Sequence, residues 1–286
     1  MILCRFNHIG DDVVRLGLVQ DGTRVTDLTA AGVGSLQSVL ESDDPTAFVQ
    51  EVLGRASTEF PVDSVQLRAP IEKQEVWAAG VTYLRSKTAR MEESDFSASA
   101  YDKVYEADRP EIFFKAVAET VVATGEPVGI REDAKWSVPE PELALVLNSR
   151  GLVVGHTIGN DMSSRDIEGE NLLYLPQAKV YKDSCALGPW IRLGTAEGSA
   201  REWIIRITIF RNGAPIFMGE TSVGNIKRTF SELARYLFRS QRFPHGAVLL
   251  TGTGIVPPDS FTLMEHDAIE IEIPEIGVLR NSVIVV

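Results

Sequence analysis

The amino-acid sequence predicts an α+β, mostly β fold. Two patterns carry that expectation. Short apolar segments rich in β-branched and aromatic residues outnumber helical patterns, and they do not alternate regularly with helices, which excludes a doubly wound sheet. The stretch "AIEIEIPEIGVLRNSVIVV" near the C-terminus also alternates apolar and polar residues as a half-buried hairpin does.

The elements follow in chain order. "ILCRF", "RLGLVQ" and "TRVTDL" are short β-like pieces, with "QDG" turning the second into the third. "SDDPTAFVQEVLG" reads as a helix, with Asp44 at the N-cap, Pro45 in the first helical position and Gly54 at the end. The stretch "PVDSVQLRAP" marks a boundary, dividing the chain into a small α+β unit (1–68) and a larger unit (69–286). In the larger unit "EVWAAG" is a short strand, and the charged stretch from Tyr83 to Asp108 has helical and loop character. "EIFFKAVAETVV", "PELALVL" and "LVVGHTIGND" follow as apolar segments. "WIIRITIFRNGAPIFMGE" centres a hairpin on Asn212-Gly213. "FSELARYLFRS" places Phe230, Leu233, Ala234, Leu237 and Phe238 at helical spacing.

Composition excludes several function classes. With 44% hydrophobic and 24% charged residues, the 286-residue chain resembles an ordinary soluble globular protein. A net charge of -12 provides no basic footprint for nucleic acid. No apolar run approaches the roughly 20 residues of a membrane span, and "MILCRFNHIGDD" does not read as a signal peptide. Cys4 and Cys185 are too few for a disulfide framework, so a reducing, cytoplasmic compartment is expected. "TGTGIVPP" lacks the ending of a phosphate loop, and no Gly-x-Ser-x-Gly elbow occurs. His8, His156, His245 and His266 are isolated and read as surface or structural residues rather than ligands.

The informative feature is the strand beginning "PEPELALVL". Residues two apart share a strand face, so Glu140 and Glu142 point the same way, followed by Ala144 and Val146, while Leu143, Leu145 and Leu147 take the other face. Two adjacent carboxylates repel, and burial raises the cost. Either one is protonated, or a cation sits between them, or the strand end is solvated. Asp161 closes the next apolar segment, and three carboxylates at two strand ends form the hard oxygen set that Mg²⁺ prefers. Arg165 stands one helical turn beyond Asp161, suited to an anion, and Lys179 lies in a non-periodic stretch beside "LPQA".

The blocks "PEPELALVL", "VVGHTIGNDMSSRDIEG", "AKVYKDSCALGPW", "LLTGTG" and "IGVLRNSV" resemble, in order and spacing, the fumarylacetoacetate hydrolase family from about residue 75 onward. The resemblance implies a mixed β-sandwich or β-roll behind a small N-terminal domain. It implies metal ligands at Glu140, Glu142 and Asp161 for Mg²⁺, with Ca²⁺ or Mn²⁺ as alternatives. It implies substrate contacts from Arg165, Lys179, Thr253, Thr82 and Tyr83, and a homodimer or dimer of dimers. Two departures narrow the activity. Hydrolases of the family carry a His-Glu dyad after the "Gly-x-x-Tyr" strand end, whereas "GVTYLRSKTARMEES" has no histidine and places Ser86 there. The family's usual Gln is Glu168.

"GVTY", "RPEIFFKA" and "YLPQAKVY" are similar to members that eliminate water from 2-keto-3-deoxy sugar acids. That implies Mg²⁺-dependent dehydration of a small 2-keto acid such as 2-keto-3-deoxy-D-arabinonate, giving 2,5-dioxopentanoate. Lys179 is then the base or the stabiliser of an enolate, Glu111 a second acid/base, and Lys115 a lesser one. The rival on the same metal is a hydrolase or decarboxylase of a 2,4-dioxo acid or oxaloacetate, with Glu92 or Glu93 replacing the dyad. The rival of another class is a non-catalytic binding or scaffolding protein on an inherited fold.

Overall fold

The computed structural model describes residues 1–84 and 103–286. Ser86, Glu92 and Glu93 lie outside them. The first part of the chain supplies β1 (Ile2–His8), β2 (Arg15–Gln20), β3 (Arg24–Asp27), β4 (Glu59–Pro61) and β5 (Val65–Arg68). The helix expected after β3 runs over Pro45–Leu53, where the Asp44 carboxylate accepts from the Thr46 and Ala47 amides at 2.9 and 3.0 Å. A shorter helix runs over Leu36–Leu40, whose five residues show no usable period in the sequence. Leu3, Leu36, Val39, Val49 and Val52 pack together and also against Val146, Ile191 and Leu193 of the larger part.

Thirteen further strands complete the described residues: β6 (Glu75–Gly80), β7 (Glu111–Ala116), β8 (Val128–Ile130), β9 (Ser137–Val138), β10 (Pro141–Leu147), β11 (Val153–Asp161), β12 (Ser163–Ser164), β13 (Cys185–Leu193), β14 (Ile204–Arg211), β15 (Ala214–Ser222), β16 (Ala247–Leu250), β17 (Ala268–Ile273) and β18 (Gly277–Val285). The large sheet runs β4-β3-β2-β1-β13-β11-β10-β16-β6-β7, with β5 also on β1. β1 joins β13 through Ile2↔Arg192 and Leu3↔Ile191, so hydrogen bonding is continuous from the N-terminal strands to the rest. β16 lies between β10 and β6, antiparallel to the first and parallel to the second. A second sheet runs β15-β14-β17-β18-β8. Its first hairpin turns through Asn212 and Gly213 at φ 53° and 78°, left-handed values that asparagine and glycine tolerate best. The architecture is α+β and mostly β, as expected.

The two sheets face each other across the main core. Leu143, Leu145 and Leu147 of β10 join Ile205, Ile207, Ile269 and Ile271 of the second sheet, while Ala144 packs on the opposite side with Ala78 and Leu187. Both faces of β10 are therefore covered, which is why its sequence is almost continuously apolar. The helix Phe230–Leu237 seals one side with Phe230, Leu233, Ala234 and Leu237, and Thr229 caps it through the Glu232 amide.

His156 on β11 is completely buried against Trp203 and Phe230, at ring separations of 5.4 and 5.9 Å. Neither ring nitrogen has a hydrogen-bond partner among the described residues. Burial lowers its pKa to about 4, with Glu197 opposing the shift. As pH falls through the ordinary histidine range near 6.5, the unfolded chain takes up a proton that the native ring refuses. Stability should thus decline between about pH 6.5 and 4 by up to ~1.4 kcal/mol per pH unit from this residue. His156→Phe is expected to flatten that part of a denaturation-midpoint against pH curve. An unchanged acid slope in the variant would show that other groups set it.

Candidate metal centre

β10 and β11 are antiparallel, so the start of one lies beside the end of the other. Pro141 pairs with Asn160 and Glu142 with Gly159, which sets Asp161, the last residue of β11, beside Glu140. The Asp161 amide donates to the Glu140 carbonyl at 3.0 Å, and the Asn160 side chain accepts from the Glu140 amide at 3.2 Å. Sheet register alone thus converges the carboxylates of Glu140, Glu142 and Asp161. All three are buried, and each offers an oxygen within 4.8 Å of the others.

Three cations balance this cluster unevenly. Lys179 Nζ lies 2.9 Å from Glu140 Oε2, 3.0 Å from Asp161 Oδ2 and 2.5 Å from Ser163 Oγ. Arg165 donates to Glu140 Oε1 at 2.9 Å, and Lys115 Nζ lies 2.5 Å from Asp161 Oδ1. Among the described residues none of the cations pairs with Glu142, whose Oε2 accepts the Gly252 amide at 2.5 Å. Burial first, then Asp161 and Glu140, push the Glu142 pKa well above the usual carboxylate range, with Lys179 opposing. A carboxylate cluster too crowded to ionise fully is the arrangement that a dication relieves. The donors are all hard oxygens, so the residues fit Mg²⁺, with Ca²⁺ and Mn²⁺ compatible.

The surrounding cleft is lined by Gly80, Val81, Glu111, Phe113, Glu168 and Thr253 together with the carboxylates, Arg165 and Lys179. Its free space is about 20 Å³, on the order of one water. Glu111 opens β7 and lays its carboxylate over the Gly80 backbone, where any Cβ would come within 2.1 Å of Glu111 Oε2. Glycine at 80 is a condition for that placement.

Residues 75–284 match the family model described as fumarylacetoacetate (FAA) hydrolase, C-terminal. The chain belongs to the fumarylacetoacetate hydrolase family. Within it, the chain is 48% identical over 214 residues to a probable 2-keto-3-deoxyxylonate dehydratase of Haloferax volcanii, covering 75% of this chain and 73% of that one. It is 40% identical over 227 residues to the 2-dehydro-3-deoxy-D-arabinonate dehydratase of Saccharolobus solfataricus, covering 78% and 76%. A solved structure of 2-keto-3-deoxy-D-arabinonate dehydratase complexed with magnesium and 2,5-dioxopentanoate superposes with a TM-score of 0.80 at 32% identity. That match covers 100% of this chain and 99% of the other.

The family motifs bring Glu111, Glu140, Glu142, Asp161, Arg165, Lys179 and Thr253 to one cleft. Thr82 and Tyr83 adjoin the cleft: the Thr82 hydroxyl donates to the Thr251 carbonyl at 2.6 Å, and the Tyr83 ring packs beside Gly254. Arg165 does not follow Asp161 by a helical turn. Ser163–Ser164 pairs with β9, and the helix Arg165–Glu170 begins only after it. Lys179 ends a short helix, Leu175–Lys179, too brief to show a period. Backbone carbonyls and Asp161 engage the ammonium of Lys115, which is not among the residues lining the cleft. Ser163, Phe113 and Gly252 also belong to the site, the serine within "GNDMSSRD" and the glycine within "TGTG", where no local pattern marks them.

Proposed function

We propose that this protein is a Mg²⁺-dependent dehydratase of 2-keto-3-deoxy sugar acids, converting 2-keto-3-deoxy-D-arabinonate to 2,5-dioxopentanoate. The observation that carries the reading is the buried Glu140–Glu142–Asp161 cluster with Lys179 against it, in a chain closely related to dehydratases of such acids. Glu140, Glu142 and Asp161 would hold the ion, which supplies Lewis acidity toward a 2-keto group. Lys179 takes a C3 proton as a neutral amine, or steadies the resulting enolate as a cation. Glu111, on β7, gives a proton to the C4 hydroxyl as the C4–O bond breaks, releasing water. Proton transfer from C5 to C3 then leaves an enol that tautomerises to the C5 aldehyde. Arg165 and Thr253 anchor the substrate carboxylate from the cleft wall, and Glu168 stays with them.

The same reading takes residues 1–68 as an accessory domain, supported by a family match that begins at residue 75. A homodimer or dimer of dimers in the cytoplasm completes it, supported by the exposed apolar Ile9, Leu173 and Met218 and by two buried, unpaired cysteines. Sedimentation at micromolar concentration should give two or four times the chain mass.

Incubation of 2-keto-3-deoxy-D-arabinonate with protein and Mg²⁺ is expected to yield an aldehyde identifiable as 2,5-dioxopentanoate. Acylpyruvates and oxaloacetate offered in parallel should react slowly or not at all. Rapid pyruvate release from an acylpyruvate, with no aldehyde from the sugar acid, would replace this reading by the hydrolase one.

A further inference from the structure

Glu111, Phe113 and Lys115 alternate along β7 and so share one face. The first two line the cleft, while Lys115 lies beneath it, fully buried. An ammonium group has three N–H donors. Lys115 donates to the Met162 carbonyl at 2.9 Å and to the Lys179 carbonyl at 2.5 Å, and its ammonium forms an ion pair with Asp161 Oδ1 at 2.5 Å. The ammonium is enclosed by these three partners, and they are informative. One is a carboxylate of the metal cluster, one is the backbone just after it, and one is the last residue of the helix that carries Lys179.

The geometry points to Lys115 as a positioning residue that fixes Asp161 and Lys179 relative to each other and to the Glu111 strand. This rests on the metal-dependent reading above. Lys179 and Lys115 differ in how they treat the cluster. Lys179 reaches the oxygens that face Glu140 and competes with a cation for them, whereas Lys115 holds Asp161 by its other oxygen and leaves Oδ2 directed inward. Ser184 also donates to the Lys179 carbonyl, at 3.0 Å, so that carbonyl keeps one partner when Lys115 is lost. The larger consequence of losing Lys115 therefore falls on Asp161 and on metal affinity.

The test is Mg²⁺ titration calorimetry on the purified protein, beside steady-state kinetics with 2-keto-3-deoxy-D-arabinonate. Lys115→Met should weaken Mg²⁺ binding about 10- to 100-fold, the range for partners that orient metal ligands. At saturating Mg²⁺ it should lower kcat more than it changes KM. Lys115→Arg keeps the charge but replaces the compact ammonium that meets both carbonyls and Asp161 with a planar fork, and its Mg²⁺ affinity should stay near that of the Met variant. If Lys115→Met does not fold, Lys115→Arg decides alone. Unchanged or tighter Mg²⁺ binding in Lys115→Met, or wild-type affinity in Lys115→Arg, would reduce Lys115 to a counter-charge and overturn the proposal. Because calorimetry needs no substrate, failure of the wild type to turn over the sugar acid would refute the proposed reaction and leave this result standing.

Discussion

Glu142→Gln is expected to abolish Mg²⁺ binding and turnover and, in metal-free protein at neutral pH, to raise the midpoint of thermal unfolding. The two effects have one cause. Glu142 is buried beside two other carboxylates with the Gly252 amide as its close donor, so its folded-state pKa lies well above the unfolded value. Between those two values the native metal-free state binds more protons than the unfolded chain, and its stability falls as pH rises. A glutamine keeps the oxygen that accepts from Gly252 and removes the charge, so the metal-free protein gains what the wild type loses. The same change removes the charge of one of the three carboxylates proposed to hold the ion. Calorimetry and thermal melts in chelator, with and without added Mg²⁺, read both effects. Wild-type Mg²⁺ affinity in the variant would remove the basis of the metal centre. A lowered metal-free midpoint would mean that Glu142 is not under electrostatic strain.

Lys179→Met should lower kcat by on the order of 10²- to 10⁴-fold, the usual contribution of a positioned proton-transfer group, while Mg²⁺ binds at least as tightly as before. Lys179 Nζ contacts Glu140, Asp161 and Ser163 within 3.0 Å, so the wild-type ammonium occupies the place where a cation would meet the carboxylates. Methionine fills similar volume without competing. Calorimetry and single-turnover measurements separate the two effects. A loss confined to KM would reassign Lys179 to carboxylate anchoring, and a collapse of Mg²⁺ affinity would make it structural. Arg165→Met should give the opposite pattern, a rise in KM larger than the fall in kcat.

How far the sequence revealed this site depended on the kind of signal each residue left. Glu140 and Glu142 announced themselves because period-two patterning forces them onto one face of a strand otherwise built of Leu, Ala and Val. Asp161 followed from its place at a strand end. Long periodic segments such as Phe230–Leu237, and the Asn212-Gly213 hairpin, came out at nearly their observed bounds. Short elements did not. Leu36–Leu40 and Leu175–Lys179 are a single turn and a fraction each, too brief to show a period, and Ala247–Leu250 is four apolar residues that any element could contain. Lys115 is hard to read for a related reason. Its role depends on acceptors at Asp161, Met162 and Lys179, remote in sequence, and no local pattern announces where an ammonium will find its partners.

The position of β16 between β10 and β6 bears on the order in which the molecule can assemble as it leaves the ribosome. Ala144 of the ligand-bearing strand pairs with Leu250, and Val76 pairs with Val248. Until the segment around Ala247–Leu250 has been synthesised, β10 lacks a neighbour on one edge, and the β6–β7 hairpin that carries Glu111 has nothing to join it to the carboxylates. Gly252 and Thr253, which touch Glu142 and line the cleft, arrive later still. Closing such distant pairings is slow, so the carboxylates of the β10–β11 pair can meet well before the cleft around them is complete.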